Sequence, residues 1–241
     1  MGFGTFVHHI GTLLLLVATA LLIVVDVTAP VVDYLAIMRV DLGPKVQGST
    51  VTFGSFGYCH RGLRGDTDEC SHRHIGYNPA EVMHEIDGTD FSSAAENTSK
   101  GLTRVMILHP VATGLCFVAF LLCLSAGIVG SILASAFSLL AFVVTVVAMA
   151  CDFVAFGIIK HDVNGNGRSR AHWASGIWCV LAAAIFTLVA ALVVLLTCCA
   201  GRAKQRREAA RGQKESTTTT TLDPSASRRP FWKRPPFKRA S

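Results

Sequence analysis

Charge is scarce in this sequence. Only 16% of its 241 residues are Asp, Glu, Lys or Arg, while 51% are apolar. An ordinary soluble domain carries about 25% charged residues. The shortage excludes a water-soluble globular body and points to lipid. It is sharpest over residues 107–159, 53 residues with no Lys or Arg and one acid, Asp152. As one straight helix that run would measure about 80 Å at ~1.5 Å per residue. A bilayer core is about 30 Å thick. The run must therefore fold back, and the small residues clustered at 125–131 are where the turn is expected.

Catalytic signatures are missing too. There is no H-E-x-x-H, G-x-S-x-G, G-x-x-x-x-G-K-[ST] or G-x-G-x-x-G pattern, so an enzyme, a nucleotide cofactor and a small-molecule substrate are not expected. The spans carry few charges and no paired interruptions, which weighs against a transporter or channel. Residues 1–9 hold no basic side chain beyond His8 and His9, and position 6 is Phe6. The first fact argues against a cleaved signal peptide. The second fits N-myristoylation of Gly2 poorly.

Four apolar stretches remain, at about 10–29, 111–130, 132–159 and 173–200. The predicted architecture is an all-α membrane protein, a four-helix transmembrane bundle carrying a small antiparallel sheet. Four spans place both termini on one side. Residues 200–241 hold twelve Lys/Arg against three Asp/Glu, so that side is expected to be cytoplasmic. A basic tail raises nucleic acid as a partner. Next to a span, anionic inner-leaflet lipid is the better match, with Arg202, Lys204, Arg206 and Arg207 in contact with it. Residues 201–241 read as a disordered tail, ending in a basic and aromatic segment at 228–239.

The loop at 30–106 is then outside. Residues 33–40 and 49–59 read as strands, the second rich in β-branched and aromatic residues. Residues 80–101 read as a short helix and a loose loop. Asn97-Thr98-Ser99 is an N-glycosylation acceptor at Asn97. Cys59 and Cys70, in an oxidising compartment, are expected to pair as a disulfide. A metal site is the alternative, because His60, His72 and His74 lie beside them, although the spacing matches no standard zinc pattern. Cys198 and Cys199, next to Arg202, suit palmitoylation or are ordinary span-end cysteines. His60, His72, His74 and His84 all fall in the outer loop and titrate near external pH.

Residues 160–170 read as a short polar turn around Asn164-Gly165-Asn166-Gly167. Its likeness to a calcium loop fails at the twelfth position, which is Trp173. Two carboxylates, Asp26 and Asp152, sit inside apolar stretches at comparable depth. Intramembrane acids are costly and point to function. The readings are hydrogen bonding within the bundle or to outer-leaflet water, or a proton-linked role. Small residues spaced by four, such as Gly130 with Ala134 and Ser131 with Ser135, allow close helix packing.

Several motifs together resemble fungal PalI proteins. They are Gly2-Phe3-Gly4-Thr5-Phe6-Val7-His8-His9-Ile10-Gly11-Thr12, Phe53-Gly54-Ser55-Phe56-Gly57-Tyr58-Cys59 with Cys70, and Ile75-Gly76-Tyr77-Asn78-Pro79. His109-Pro110, Gly130-Ser131-Ile132-Leu133-Ala134-Ser135 and Asp152-Phe153-Val154-Ala155-Phe156-Gly157-Ile158-Ile159 complete the set. The resemblance runs in order over about residues 1–200. It implies a plasma-membrane tetraspan of the group that includes eisosome-associated proteins, with a claudin-like bundle and an extracellular sheet. Phe56-Gly57-Tyr58 stands where claudins carry a Trp-bearing motif, so the claudin likeness concerns architecture alone. It also implies a role in ambient-pH signalling as helper of a larger multispan membrane sensor, or, as in the eisosomal relatives, in organising membrane domains.

Overall fold

The computed structural model describes residues 3–32, 34–44, 49–62, 69–125 and 128–221. Four of its helices carry stretches long and apolar enough to cross a membrane: Phe6–Asp26, Ser93–Leu124, Gly130–Asn166 and Ser175–Ala203. The chain is a multi-pass membrane protein, and residues 1–198 form one compact unit. The fold-back expected at 125–131 begins at Ser125, where helix α4 (Leu108–Leu124) ends, and α5 starts at Ile128. Ala126 and Gly127 lie outside the described residues, as do Gly2, Asp33 and the basic segment at 228–239.

The bundle is built on small side chains at a seven-residue repeat. On α5 (Ile128–Asn166), Ala134, Ala141, Ala148 and Ala155 are all buried. A second buried series, Ser138, Thr145, Asp152 and Ile159, keeps the same spacing on the same helix face. A strict seven-residue repeat keeps one seam facing its neighbours. In lipid the tails are as apolar as the helices, so association depends on close packing, which small residues allow. Ala134 packs with Leu15, Ala119, Ala190 and Val194, and Ala141 with Leu22, Ala112, Cys116 and Ala183. Both layers draw on α1 (Phe3–Asp26), α4, α5 and α6 (Ser175–Thr221). The Ser and Thr hydroxyls of the seam bond backward within their own helix, as Thr145 Oγ1 does to the Ala141 carbonyl at 2.7 Å.

A five-stranded antiparallel sheet sits at one end, in the order β4-β3-β2-β1-β5. Its strands are β1 Met38–Asp41, β2 Thr50–Phe53, β3 Tyr58–Arg61, β4 Glu69–Cys70 and β5 Arg170–Trp173. Residues 49–59, expected as one strand, are therefore two. The Gly54 N–H bonds the Gly57 carbonyl at 2.9 Å and reverses the chain between them. A side chain at Gly54 would meet the Ala29 carbonyl oxygen at 2.2 Å, so only glycine lets this turn rest against the chain leaving α1. Residues 80–101 are also more ordered than expected. Apart from the five-residue link 88–92 they lie in α2 (Pro79–Asp87) and α3 (Ser93–Val105), the latter opened by Ser92, whose hydroxyl accepts from the Ala95 N–H.

The polar turn expected at 160–170 is a helix end and a strand. α5 runs on to Asn166, and Gly167 terminates it with φ 66°. β5 then pairs with β1, Arg39 opposite His172. Trp173 therefore belongs to a strand and not to the fourth span. Asn164 explains how both readings meet. Its carboxamide accepts from the Ala171 N–H at 2.8 Å and donates to the Ala171 carbonyl at 3.2 Å. One side chain thus satisfies both outward backbone groups of Ala171 on the edge strand.

Residues 199–241 form a second unit. Where a disordered tail is expected from residue 201, α6 continues to Thr221. The run after Gly201 is rich in Ala, Arg, Lys, Gln and Glu, all strong helix formers, and has no proline before Pro224.

Candidate functional site in the bundle beneath the sheet

The sheet packs on its own core of large side chains: Phe53, Tyr77, Met83, Met106, Phe156 and Ile159. Phe53 stacks on Tyr77 with their planes 4° apart and tilts against Phe156. Phe156 comes from α5, so this core joins the sheet to the bundle. A second junction ties α1. The Ser55 N–H donates to Thr28 Oγ1 at 3.0 Å, and the Ser55 hydroxyl donates to the Val25 carbonyl at 3.0 Å.

One helical turn below Phe156 lies Asp152. Its Oδ2 is 2.9 Å from His109 Nε2, with the two side chains 1% and 0% exposed. The His109 ring and the Asp152 carboxyl share this hydrogen bond inside the bundle. Next to Val25 lies Asp26, the last residue of α1. The Thr113 hydroxyl is 2.7 Å from Asp26 Oδ2 and 3.0 Å from the His109 carbonyl. His109 and Thr113 are one turn apart on α4, so a single helix face presents both to the two acids. Three helices thus converge on one polar cluster. Asp26 Oδ1, His109 Nδ1 and Asp152 Oδ1 are buried without a hydrogen-bond partner among the described residues.

Within the four apolar stretches of the sequence no Lys or Arg accompanies these groups. His109 pairs with the buried Asp152, and the half-buried Asp26 joins the cluster through Thr113. His109 and Asp152 stand side by side as a fully buried pair of titratable side chains. A buried charge left without its partner costs about 3–5 kcal/mol. The packing of α1, α4 and α5 and the pairing of these polar groups are therefore coupled. The Thr113 hydroxyl and the His109 imidazole are each hydrogen-bonded to one of the two acids.

Of the residues singled out in the sequence, the structure brings together Asp26 and Asp152, bridged by His109 and Thr113. Those two bridging residues escape a sequence reading that looks for acids alone. Their spacing of four on an otherwise apolar helix was the available signal. Cys59 and Cys70 form a disulfide between β3 and β4, which removes both thiols from the alternative metal set. His60, His72 and His74 do not converge. His60 bonds Ser49 Oγ at 3.0 Å, and His74 bonds the His72 carbonyl. Asn97 is exposed on α3, Cys198 is half-buried and Cys199 exposed. Arg202, Arg206 and Arg207 are exposed on α6, where Lys204 also falls.

Comparison with known proteins agrees with this architecture. The SUR7/PalI family profile matches residues 5–190. A pH-response regulator protein palI/RIM9 of Emericella nidulans is 29% identical over 115 residues, 48% of this chain and 18% of that protein. A palI/RIM9 protein of Yarrowia lipolytica is 29% identical over 184 residues, 73% of this chain and 21% of that protein. An uncharacterized membrane protein, TOS7 of Saccharomyces cerevisiae, is 25% identical over 177 residues, 72% of this chain and 29% of that protein. The matched part thus spans less than a third of each of these relatives. With the four apolar helices and the sheet that joins them, the match places this chain in the SUR7/PalI family.

Proposed function

We propose that this protein is a non-enzymatic accessory of ambient-pH signalling in the plasma membrane, which stabilises or positions a larger multispan sensor. The observation that carries the reading is the match over residues 5–190 to a family shared with two proteins named as pH-response regulators. The polar cluster of His109, Thr113, Asp26 and Asp152 supports it, because titratable groups held inside a membrane bundle mark functional positions. Both termini face the cytoplasm in this reading, on the basic charge of residues 200–241. The sheet then lies outside, with Asn97 open to glycosylation. Arg202, Lys204, Arg206 and Arg207 hold the inner leaflet, and Cys198 and Cys199 accept palmitate beside them.

Deletion of the gene tests this directly. Impaired growth and impaired transcription-factor processing at alkaline pH are expected, and normal values of both would sink the proposal. The other role the family name covers, organisation of membrane domains, predicts static cortical patches of tagged protein that persist when the sensor is removed. Affinity purification of the intact complex from membranes separates the two by partner.

A further inference from the structure

Among the described residues outside the four spans, the exposed large apolar side chains are Val31, Tyr34 and Ile75. Val31 and Tyr34 follow the end of the first span at Asp26, so the bilayer surface accounts for them. Ile75 adjoins no span in sequence, and it is 51% exposed. Its neighbours in the fold set its height. The Thr103 hydroxyl donates to the Tyr77 carbonyl at 2.7 Å, and a side chain at Gly76 would collide with Arg104 Cγ. Residues 75–77 are thereby held against the end of α3. From there the helix runs on almost unbroken into the membrane, because Met106 and Ile107, between α3 and α4, both keep right-handed helical dihedrals.

Residues 107–124 measure about 27 Å at ~1.5 Å per residue, which nearly fills a hydrocarbon core about 30 Å thick. Hydrocarbon therefore begins at Ile107, which is exposed. Arg104 lies one turn above it, about 4.5 Å. The headgroup layer adds about 5–7 Å on each side, so Arg104 and the Gly76 that touches it stand at headgroup level, next to Ile75. Arg104 is exposed and joins no ion pair among the described residues. Arg104, Ile107 and Val111 share one face of the rod, and all three are exposed. We propose that Ile75 inserts between the lipid headgroups of the sheet-side leaflet, with the Arg104 guanidinium bound to a phosphate of that layer. An Arg stem covers apolar surface while its head stays polar, and here the stem lies on Gly76. The guanidinium fork matches the paired oxygens of a phosphodiester. The occupant is lipid because this face continues the lipid-facing side of α4 without a gap. The loop that follows β4 is thereby fixed to the bilayer surface.

The test places the photoreactive residue benzoylphenylalanine at position 75 of the full-length protein in its native membranes and identifies the adducts by mass spectrometry. Ala94, exposed and about 20 Å above Ile107 on the same rod, is the control position in water. Lipid adducts are expected from position 75 and not from position 94. Arg104→Gln is expected to lower the lipid yield several-fold, and Arg104→Lys, which keeps the charge, to preserve most of it. A non-reducing gel confirms the Cys59–Cys70 bridge in each variant. Adducts to a protein from position 75, or none at all, would overturn the proposal. So would a lipid yield no higher than at position 94, one that Arg104→Gln leaves unchanged, or a loss in Arg104→Lys as large as in Arg104→Gln.

Discussion

Beneath the sheet the core is Phe53, Tyr77, Met83, Met106 and Phe156; midway along the bundle it is Ala112, Ala119, Ala134, Ala141 and Ala183. One core is made of large side chains and the other of small ones, although they share α5. The difference follows from the solvent each meets. The sheet projects into water, where burying apolar area contributes about 25 cal/mol per Å². The bundle lies in hydrocarbon, where that drive is absent and tight backbone approach replaces it. The His109–Asp152 pair lies between the two regimes.

Substitutions that break one core and spare the other sharpen this contrast. Phe53→Ala has the largest expected effect, a loss of about 3–5 kcal/mol. Near-ultraviolet dichroism of the sheet should melt earlier while the far-ultraviolet helical signal holds. Joint melting would mean the two cores form one cooperative unit. Removing the bridge with Cys59→Ser/Cys70→Ser should cost the sheet about 2–4 kcal/mol, again leaving helix content intact. In the other direction, Ala141→Leu overfills the seam. An expected loss of about 1–3 kcal/mol should appear in resistance to SDS and not in sheet spectra.

The smallest effect is a pH dependence of the sheet. Burial holds His60 below the usual histidine pKa, with Glu69 opposing. As pH falls below about 6.5, the unfolded chain takes up this proton before the folded one does. Stability present above that value is therefore lost as pH drops through the lowered folded pKa. Thermal melts from about pH 7 to about pH 5 should show the decline, and His60→Gln should flatten it.

Much of this was legible in the residues. The long uncharged run announced the spans, and the enrichment of 49–59 in β-branched residues announced the sheet. What stayed hidden was long-range. β5 is four residues long, preceded by a glycine-rich sequence that reads as a turn, and its partner β1 lies far earlier in the chain. Residues 49–59 read as one strand because nothing local reveals that Gly54 must rest on Ala29. Asp152 was visible as an acid in an apolar run. Its place on the buried seam with Ser138 and Thr145 follows from the seven-residue spacing, but its bond to His109 depends on which helices become neighbours.

The Asn164 carboxamide has a consequence for assembly. By occupying both free backbone groups of Ala171, it blocks the β5 edge at that residue to an incoming strand.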